Sequence, residues 1–314
     1  MHTIHRPARI RWGLCCQFVD APIRFRTATH RYVSGLTPKA RRDYLAGIAT
    51  ANAAALHDAV LHCHALGIGA FRITSQVVPL ATHPASGYRL ADLGDTTLDA
   101  FRAAGAAARE RDIRLSFHPD QFVVLNSERE DVVRSSVSEL ELQGELATLV
   151  GADVICLHAG GAAGGIDAAL ERLERGIDRL SPAARARLAL ENDDRSFAPR
   201  TLAPLCARTG VPMVYDAHHH RCRADGLTTD EATGIAAATW GGREPYFHLS
   251  SPRDGWDAPN PRPHADYIDP ADFPEAWRGR ALTVDVEAKD KERAVLRIMH
   301  DVGNGERRGP SAAR

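Results

Sequence analysis

His118, His158, Glu191, Asp216, His219, His248 and Glu287 stand at, or just beyond, the ends of short apolar runs. His83 follows another run by a short loop, and His264 lies in the loop after the run that carries His248. One such histidine is ordinarily a hydrogen-bonded rim residue, and one such glutamate a solvated loop carboxylate. The set is different, because independent accidents would have to agree on run after run. If the runs are strands whose ends converge, three carboxylates and six imidazoles share one mouth. Clustered carboxylates repel, and burying them is costly unless they are neutralised. Divalent cations resolve that conflict directly.

Mixed His/Asp/Glu sets without a thiolate suit Zn²⁺ or Mn²⁺. The set exceeds the need of one ion, so two or three ions sharing carboxylates are expected. Such sites hydrolyse phosphodiesters: one ion lowers the pKa of a bound water, and the others stabilise charge on the phosphoryl and leaving oxygens. The same residues also permit a sugar isomerase, in which the ions polarise a carbonyl and a hydroxyl.

The elements that must position these side chains are legible. Eight runs rich in Val, Ile, Leu or Phe recur at Ile10–Cys16, Ala70–Thr74, Arg114–His118, Val154–His158, Leu188–Asn192, Met213–His218, Tyr246–Ser250 and Leu282–Glu287. Short, continuous apolar runs mark buried parallel strands. Ala- and Arg-rich stretches of helical spacing separate them. The first opens at Thr37-Pro38, an N-cap followed by a first-turn proline, and Gly67 ends it. Eight alternations predict a single-domain (β/α)8 TIM barrel over residues 1–302, with its active site at the strand C-termini. A doubly wound sheet is the structural alternative, but no G-x-G-x-x-G follows the first strand. The stretch 303–314 reads as a disordered tail.

Composition narrows the rest. The 314 residues are 44% hydrophobic and carry a net charge of −1, so a generic nucleic-acid coat is not indicated. No run is long enough to span a bilayer, and the N-terminus lacks the apolar core of a secretory signal. A cytoplasmic protein, monomeric by default, is therefore expected. Six cysteines form no C-x-x-C pair and read as reduced core residues.

The strings FRITSQVVPLATH, SFHPDQFVVLNSERE, VICLHAGG, LALENDDRSF, VYDAHHHRC, FHLSSPR and VEAKDKE resemble the UV damage endonucleases, from Ile10 to Arg297. The resemblance implies a TIM barrel akin to the endonuclease IV type of apurinic-site enzymes. It also implies a three-metal site, usually described with manganese, with Zn²⁺ or Fe²⁺ as alternatives. The implied activity cuts damaged double-stranded DNA 5′ to UV photoproducts or abasic sites and starts excision repair. By resemblance His83, His118, His158, Glu191, Asp216, His219, His248, His264 and Glu287 fall on metal-binding positions. Glu191 and Glu287 would bridge ions, and with His248 they are the expected catalytic residues.

The chain departs from the family in the residues expected to meet substrate. Tyr246 stands where the family carries a lysine two residues before the strand histidine; it shares the face of His248, one layer deeper. Leu14 follows the first-strand glycine in place of an aromatic. Gln121-Phe122 replaces a Gln-Tyr pair, keeping a wedge and a stacking face, and Gln17 replaces an asparagine. Arg221 and Arg253 lie in predicted rim loops, with Arg24, Arg26, Arg31, Arg195, Arg223 and Arg262, and suit phosphate contacts. Leu14 and Tyr246 together motivate a second expectation, a barrel with the same metal cluster repurposed for a small molecule as an isomerase or biosynthetic tailoring enzyme.

Overall fold

The structure is a computed structural model that describes residues 9–307. Its strands are β1 (Ile10–Cys15), β2 (Ala70–Ile73), β3 (Arg114–Phe117), β4 (Val154–His158), β5 (Leu188–Glu191), β6 (Met213–Asp216), β7 (Tyr246–Leu249) and β8 (Leu282–Val286). Each pairs in parallel with its sequence neighbour, and β8 closes onto β1, giving one eight-stranded barrel. The predicted (β/α)8 architecture is the observed one.

Helices follow the strands: α1 (His30–Val33), α2 (Pro38–Ala65), α3 (Asp95–Glu110), α4 (Glu130–Val150), α5 (Ile166–Ile177), α6 (Pro182–Arg185), α7 (Pro199–Thr209), α8 (Ala217–Cys222), α9 (Thr229–Ala238) and α10 (Lys291–Arg307). Thr37 caps α2 by accepting from the Ala40 amide at 3.3 Å. Gly67, at φ +73°, turns the chain out of it, a conformation that costs glycine little. No helix among the described residues is long and apolar enough to cross a membrane.

Alternation along the strands sorts the interior into two layers. Leu14, Phe71, Leu115, Phe117, Leu157, Leu190, Phe247 and Val284 belong to the large apolar layer between sheet and helices. Val154, Cys156, Ala189, Val214 and Tyr246 form a separate cluster inside the barrel, with Trp240. Gly13 belongs to the inner face: a Cβ there would stand 2.0 Å from Asp285 Oδ1, so only glycine lets β8 present that carboxylate.

Most strands end one residue before the expected position, and two boundaries moved further. The sixth strand stops at Asp216, two residues before the predicted end, because the Asp216 carboxylate accepts from the His219 amide at 2.7 Å and caps α8. The last helix continues to Arg307, past the predicted boundary at 302. The rest of the predicted tail, 308–314, lies outside the described residues.

Candidate metal centre at the barrel mouth

Neighbouring strands bring residues far apart in sequence side by side. His158 pairs in register with Glu191, and Asp216 with His248. Glu191 stands at the centre. Its Oε2 is 2.9 Å from His118 Nε2 and 3.6 Å from His158 Nδ1. Its Oε1 is 3.0 Å from His248 Nδ1 and 3.3 Å from His219 Nδ1. Glu287 adds a second carboxylate 3.5 Å from His248 and 3.6 Å from His264.

Three overlapping donor groups result, each with ligand atoms within 4.8 Å of one another: His118, Cys156, Glu191 and His248; His158, Glu191 and His219; Asp216, His248 and Glu287. Glu191 links the first two groups and His248 links the first and third. The donor chemistry fits divalent ions. Two buried atoms in these groups, Asp216 Oδ2 and His248 Nε2, have no hydrogen-bond partner, as expected of atoms reserved for coordination.

Carbonyls orient two of the imidazoles. His118 Nδ1 lies 3.0 Å from the Pro119 carbonyl and His219 Nδ1 lies 3.1 Å from that of Asn192. A carbonyl only accepts, so each Nδ1 donates; in His118 the opposite nitrogen, Nε2, meets Glu191 and would exchange that proton and contact for an ion on coordination. The LENDD string is explained in the same way. Glu191 is the donor. Asn192 clasps Asp216, its Nδ2 donating to the Asp216 carbonyl at 3.0 Å and its Oδ1 accepting from the Asp216 amide at 2.9 Å. Asp193 holds the following loop by accepting from the amides of Arg195, Ser196 and Phe197.

Electrostatics follow from this crowding. Burial alone would raise the Glu191 carboxyl. His158 and His248, with hydrogen bonds from His118 and His219, outweigh it and hold the group well below the usual carboxylate range. Burial would likewise raise Glu287, but Arg72 and His248 hold it well below that range. Burial lowers His248, yet Glu191 and Glu287 raise it to about 9. His158 is pushed down by burial.

Beneath the donors lies a buried polar layer that strand-end reasoning missed. Arg72 Nη2 is 2.6 Å from Glu287 Oε1, and its Nε is 3.3 Å from Asp285 Oδ2. Tyr246 donates to Asp285 and lies 2.7 Å from Ser116 Oγ. Arg72 and Asp285 had one sequence signal, a charge inside an otherwise apolar strand, which is costly without a partner.

The remaining expected residues divide. His83 is outside the three donor groups; its ring stacks on His30, centroids 4.4 Å apart. It lines a groove of about 680 Å³ shared with Phe122. Phe122 is 78% exposed, and Gln121 and Gln17 are exposed beside their strand ends. His264 reaches Glu287 but is outside the three groups; its ring packs on His218, 5.2 Å between centroids. Arg221 is tied to Asp272 at 3.0 Å and covers the Trp256 ring, and Arg253 pairs with Asp254 at 2.8 Å.

Two substrate-contact expectations require correction. Leu14 is fully buried in the outer apolar layer, because Gly13 takes the inward position and alternation turns the next residue outward. Tyr246 is fully buried below the cage, where it serves Asp285 instead of meeting a substrate. Cys156 is a free, fully buried core residue as expected, and its sulfur also lies within reach of the donors His118, Glu191 and His248.

A closed parallel barrel with a carboxylate-and-imidazole cage at its strand C-termini defines the class: a TIM barrel whose mouth gathers residues able to hold metal ions. The model of the family described as UV-endonuclease UvdE matches residues 10–309, and the chain belongs to that family. It is 35% identical over 303 residues to the UV DNA damage endonuclease of Deinococcus radiodurans, covering 91% of this chain and 94% of that one. It is 31% identical to the UV DNA damage endonuclease of Bacillus velezensis, covering 88% of each. Among solved structures, SacUVDE superposes with a TM-score of 0.84 at 26% identity, over 95% of this chain and 99% of that one. Endonuclease IV from Thermus thermophilus shares the fold, with a TM-score of 0.57 at 20% identity over 80% and 94%.

Proposed function

We propose that the chain is a metal-dependent endonuclease that nicks damaged double-stranded DNA 5′ to UV photoproducts or abasic sites, initiating excision repair. The observation that carries the reading is the linkage of three donor groups through Glu191 and His248 at the mouth of a UvdE-family barrel. Two or three divalent ions, Mn²⁺ foremost and Zn²⁺ or Fe²⁺ as alternatives, would be held by His118, His158, Glu191, Asp216, His219, His248 and Glu287, with His264 beside Glu287 and His83 at the groove. Such ions supply Lewis acidity, which lowers the pKa of water and offsets charge building on phosphoryl oxygens.

The chain supplies the rest. Glu191 and Glu287 stay ionised at neutral pH, so neither needs to lose a proton before it serves as a ligand. The carbonyl contacts at Nδ1 fix the rings of His118 and His219 and so hold their Nε2 atoms in place. Phe122 and Gln121, exposed beside the mouth, are suited to fill the space of displaced bases, and aromatic stacking contributes about 1–3 kcal/mol per base. Arg221, on the short α8 rather than in a loop, and Arg253 are exposed cations suited to phosphates, each already paired with an acidic neighbour.

The small-molecule reading draws less from Leu14, which faces the outer apolar layer, while Tyr246 lies directly beneath the donor His248 with ring centroids 5.6 Å apart. The test is a nicking assay with purified, Mn²⁺-loaded protein. A UV-irradiated duplex should be cut 5′ to the lesion, an unirradiated one spared, and Glu191→Gln should abolish cutting. No cleavage above that variant, with metal content verified, overturns the proposal.

A further inference from the structure

Cys156 lies two residues before His158 on β4, so alternation gives both the same inward face, with the cysteine deeper in the barrel. It is fully buried, and its Sγ is 3.5 Å from Glu191 Oε2. With His118, Glu191 and His248 it makes the four-membered donor group, all four ligand atoms within 4.8 Å of one another. A tetrahedral shell with bonds of 2.0–2.3 Å needs donors roughly 3.3–3.8 Å apart. The group is thus near the required size before any ion draws it together.

A second observation points the same way. His248 carries a buried ring nitrogen, Nε2, with no hydrogen-bond partner. The other two donor groups contain only nitrogen and oxygen. Among the described residues no other cysteine joins a donor group, and Cys15, also facing inward, lies against Arg72 instead.

We propose that Cys156 is a metal ligand, which makes the deepest position of the cage a sulfur–nitrogen–oxygen site for a borderline-soft divalent ion of the Zn²⁺ class. The two sulfur-free positions remain suited to harder ions such as Mn²⁺, so the cage is built for a mixed set. Coordination breaks the S–H bond and forms an S–metal bond, and the proton leaves to solvent. The inference rests on the metal-cage reading and adds to it the identity of one donor.

Cobalt(II), a spectroscopic stand-in for Zn²⁺, separates the two claims. The full-length, metal-stripped chain is titrated with Co²⁺ and followed by absorption. A sulfur-to-cobalt charge-transfer band in the near ultraviolet is expected in the wild type. Cys156→Ser should lose that band while keeping the visible ligand-field bands and its far-UV circular dichroism. After dialysis against equal Zn²⁺ and Mn²⁺, Cys156→Ser should retain on the order of tenfold less Zn²⁺ relative to Mn²⁺ than the wild type. Ligand-field bands without charge transfer in the wild type overturn the sulfur ligand and leave the cage standing. A band that persists in Cys156→Ser also overturns it. Absence of any cobalt spectrum overturns both claims. The wild-type spectrum decides the matter even if Cys156→Ser fails to fold, and Cys156→Ala supplies a second variant.

Discussion

Arg72 on β2 and Glu287, one residue past β8, are joined by a 2.6 Å contact between Nη2 and Oε1, and the same guanidinium lies 3.3 Å from Asp285. One cation built into the fold therefore neutralises part of the charge gathered at the mouth. Removing one partner of a buried ion pair leaves the other charge uncompensated and costs about 3–5 kcal/mol. Arg72→Met should destabilise the metal-stripped protein by about that amount in urea titrations. Added Mn²⁺ should recover more stability in Arg72→Met than in the wild type, because the ion takes over the neutralisation of Glu287. An equal response of both proteins contradicts this account.

Tyr246 is held below the cage by its hydroxyl. It donates to Asp285 and meets Ser116 at 2.7 Å, while Asp285 Oδ1 has no hydrogen-bond partner. Tyr246→Phe keeps the ring and strips a donor from a fully buried carboxylate. A loss of about 1–3 kcal/mol is expected. Ser116→Ala should cost less, since it leaves the bond to Asp285 intact. Thermal or urea unfolding of the two variants gives the comparison, and a neutral Tyr246→Phe would show that the phenol does not sustain Asp285.

Strand number, strand direction and the residues at strand ends were legible because buried parallel strands write continuous apolar runs, and the end residues break that pattern visibly. The sequence put nine donors in one mouth, and the structure gathers His118, His158, Glu191, Asp216, His219, His248 and Glu287 into the linked donor groups while His83 and His264 stand outside them. Sequence reasoning failed one layer lower. Which face of β1 looks inward depends on the register Gly13↔Asp285, which no run of residues reveals, so the outward, buried position of Leu14 is not legible in the sequence. The partnership of Cys156 with Glu191 likewise depends on barrel closure. The histidine run also divides in a way its spelling does not disclose. His219 faces the cage, His218 bonds the Pro261 carbonyl at 3.0 Å, and His220 bridges Tyr215 and Asp225.

Phe122 contributes little to the fold. It is 78% exposed, so Phe122→Ala should change stability by less than about 0.5 kcal/mol. If its ring stacks on bases, the same change should weaken binding to a lesion-bearing duplex by about 1–3 kcal/mol, roughly 5- to 150-fold. Binding to undamaged duplex should change far less, because intact stacks leave the ring nothing to replace. Fluorescence anisotropy with both duplexes reads the difference, and equal losses on the two would remove Phe122 from lesion reading.

The opposite end of the barrel gives a pH signature that metal chemistry does not touch. Glu244 accepts from Arg11 at 2.9 Å and from the Thr283 hydroxyl at 2.6 Å. Burial would raise its carboxyl, but the bonds from Thr283 and Arg11 prevail and lower it from 4.5. A group whose folded pKa is depressed adds stability that is present above its unfolded value, about 4.3. That stability is lost as the pH falls through the lower, folded value. Glu244→Gln should therefore be less stable than the wild type by about 1–3 kcal/mol at pH 7. The gap should narrow below pH 4.5 and close once the wild-type carboxylate is protonated in both states. Urea titrations of the two proteins across this range measure the gap, and a difference independent of pH would mean that Glu244 stabilises by shape and neutral hydrogen bonding instead of charge.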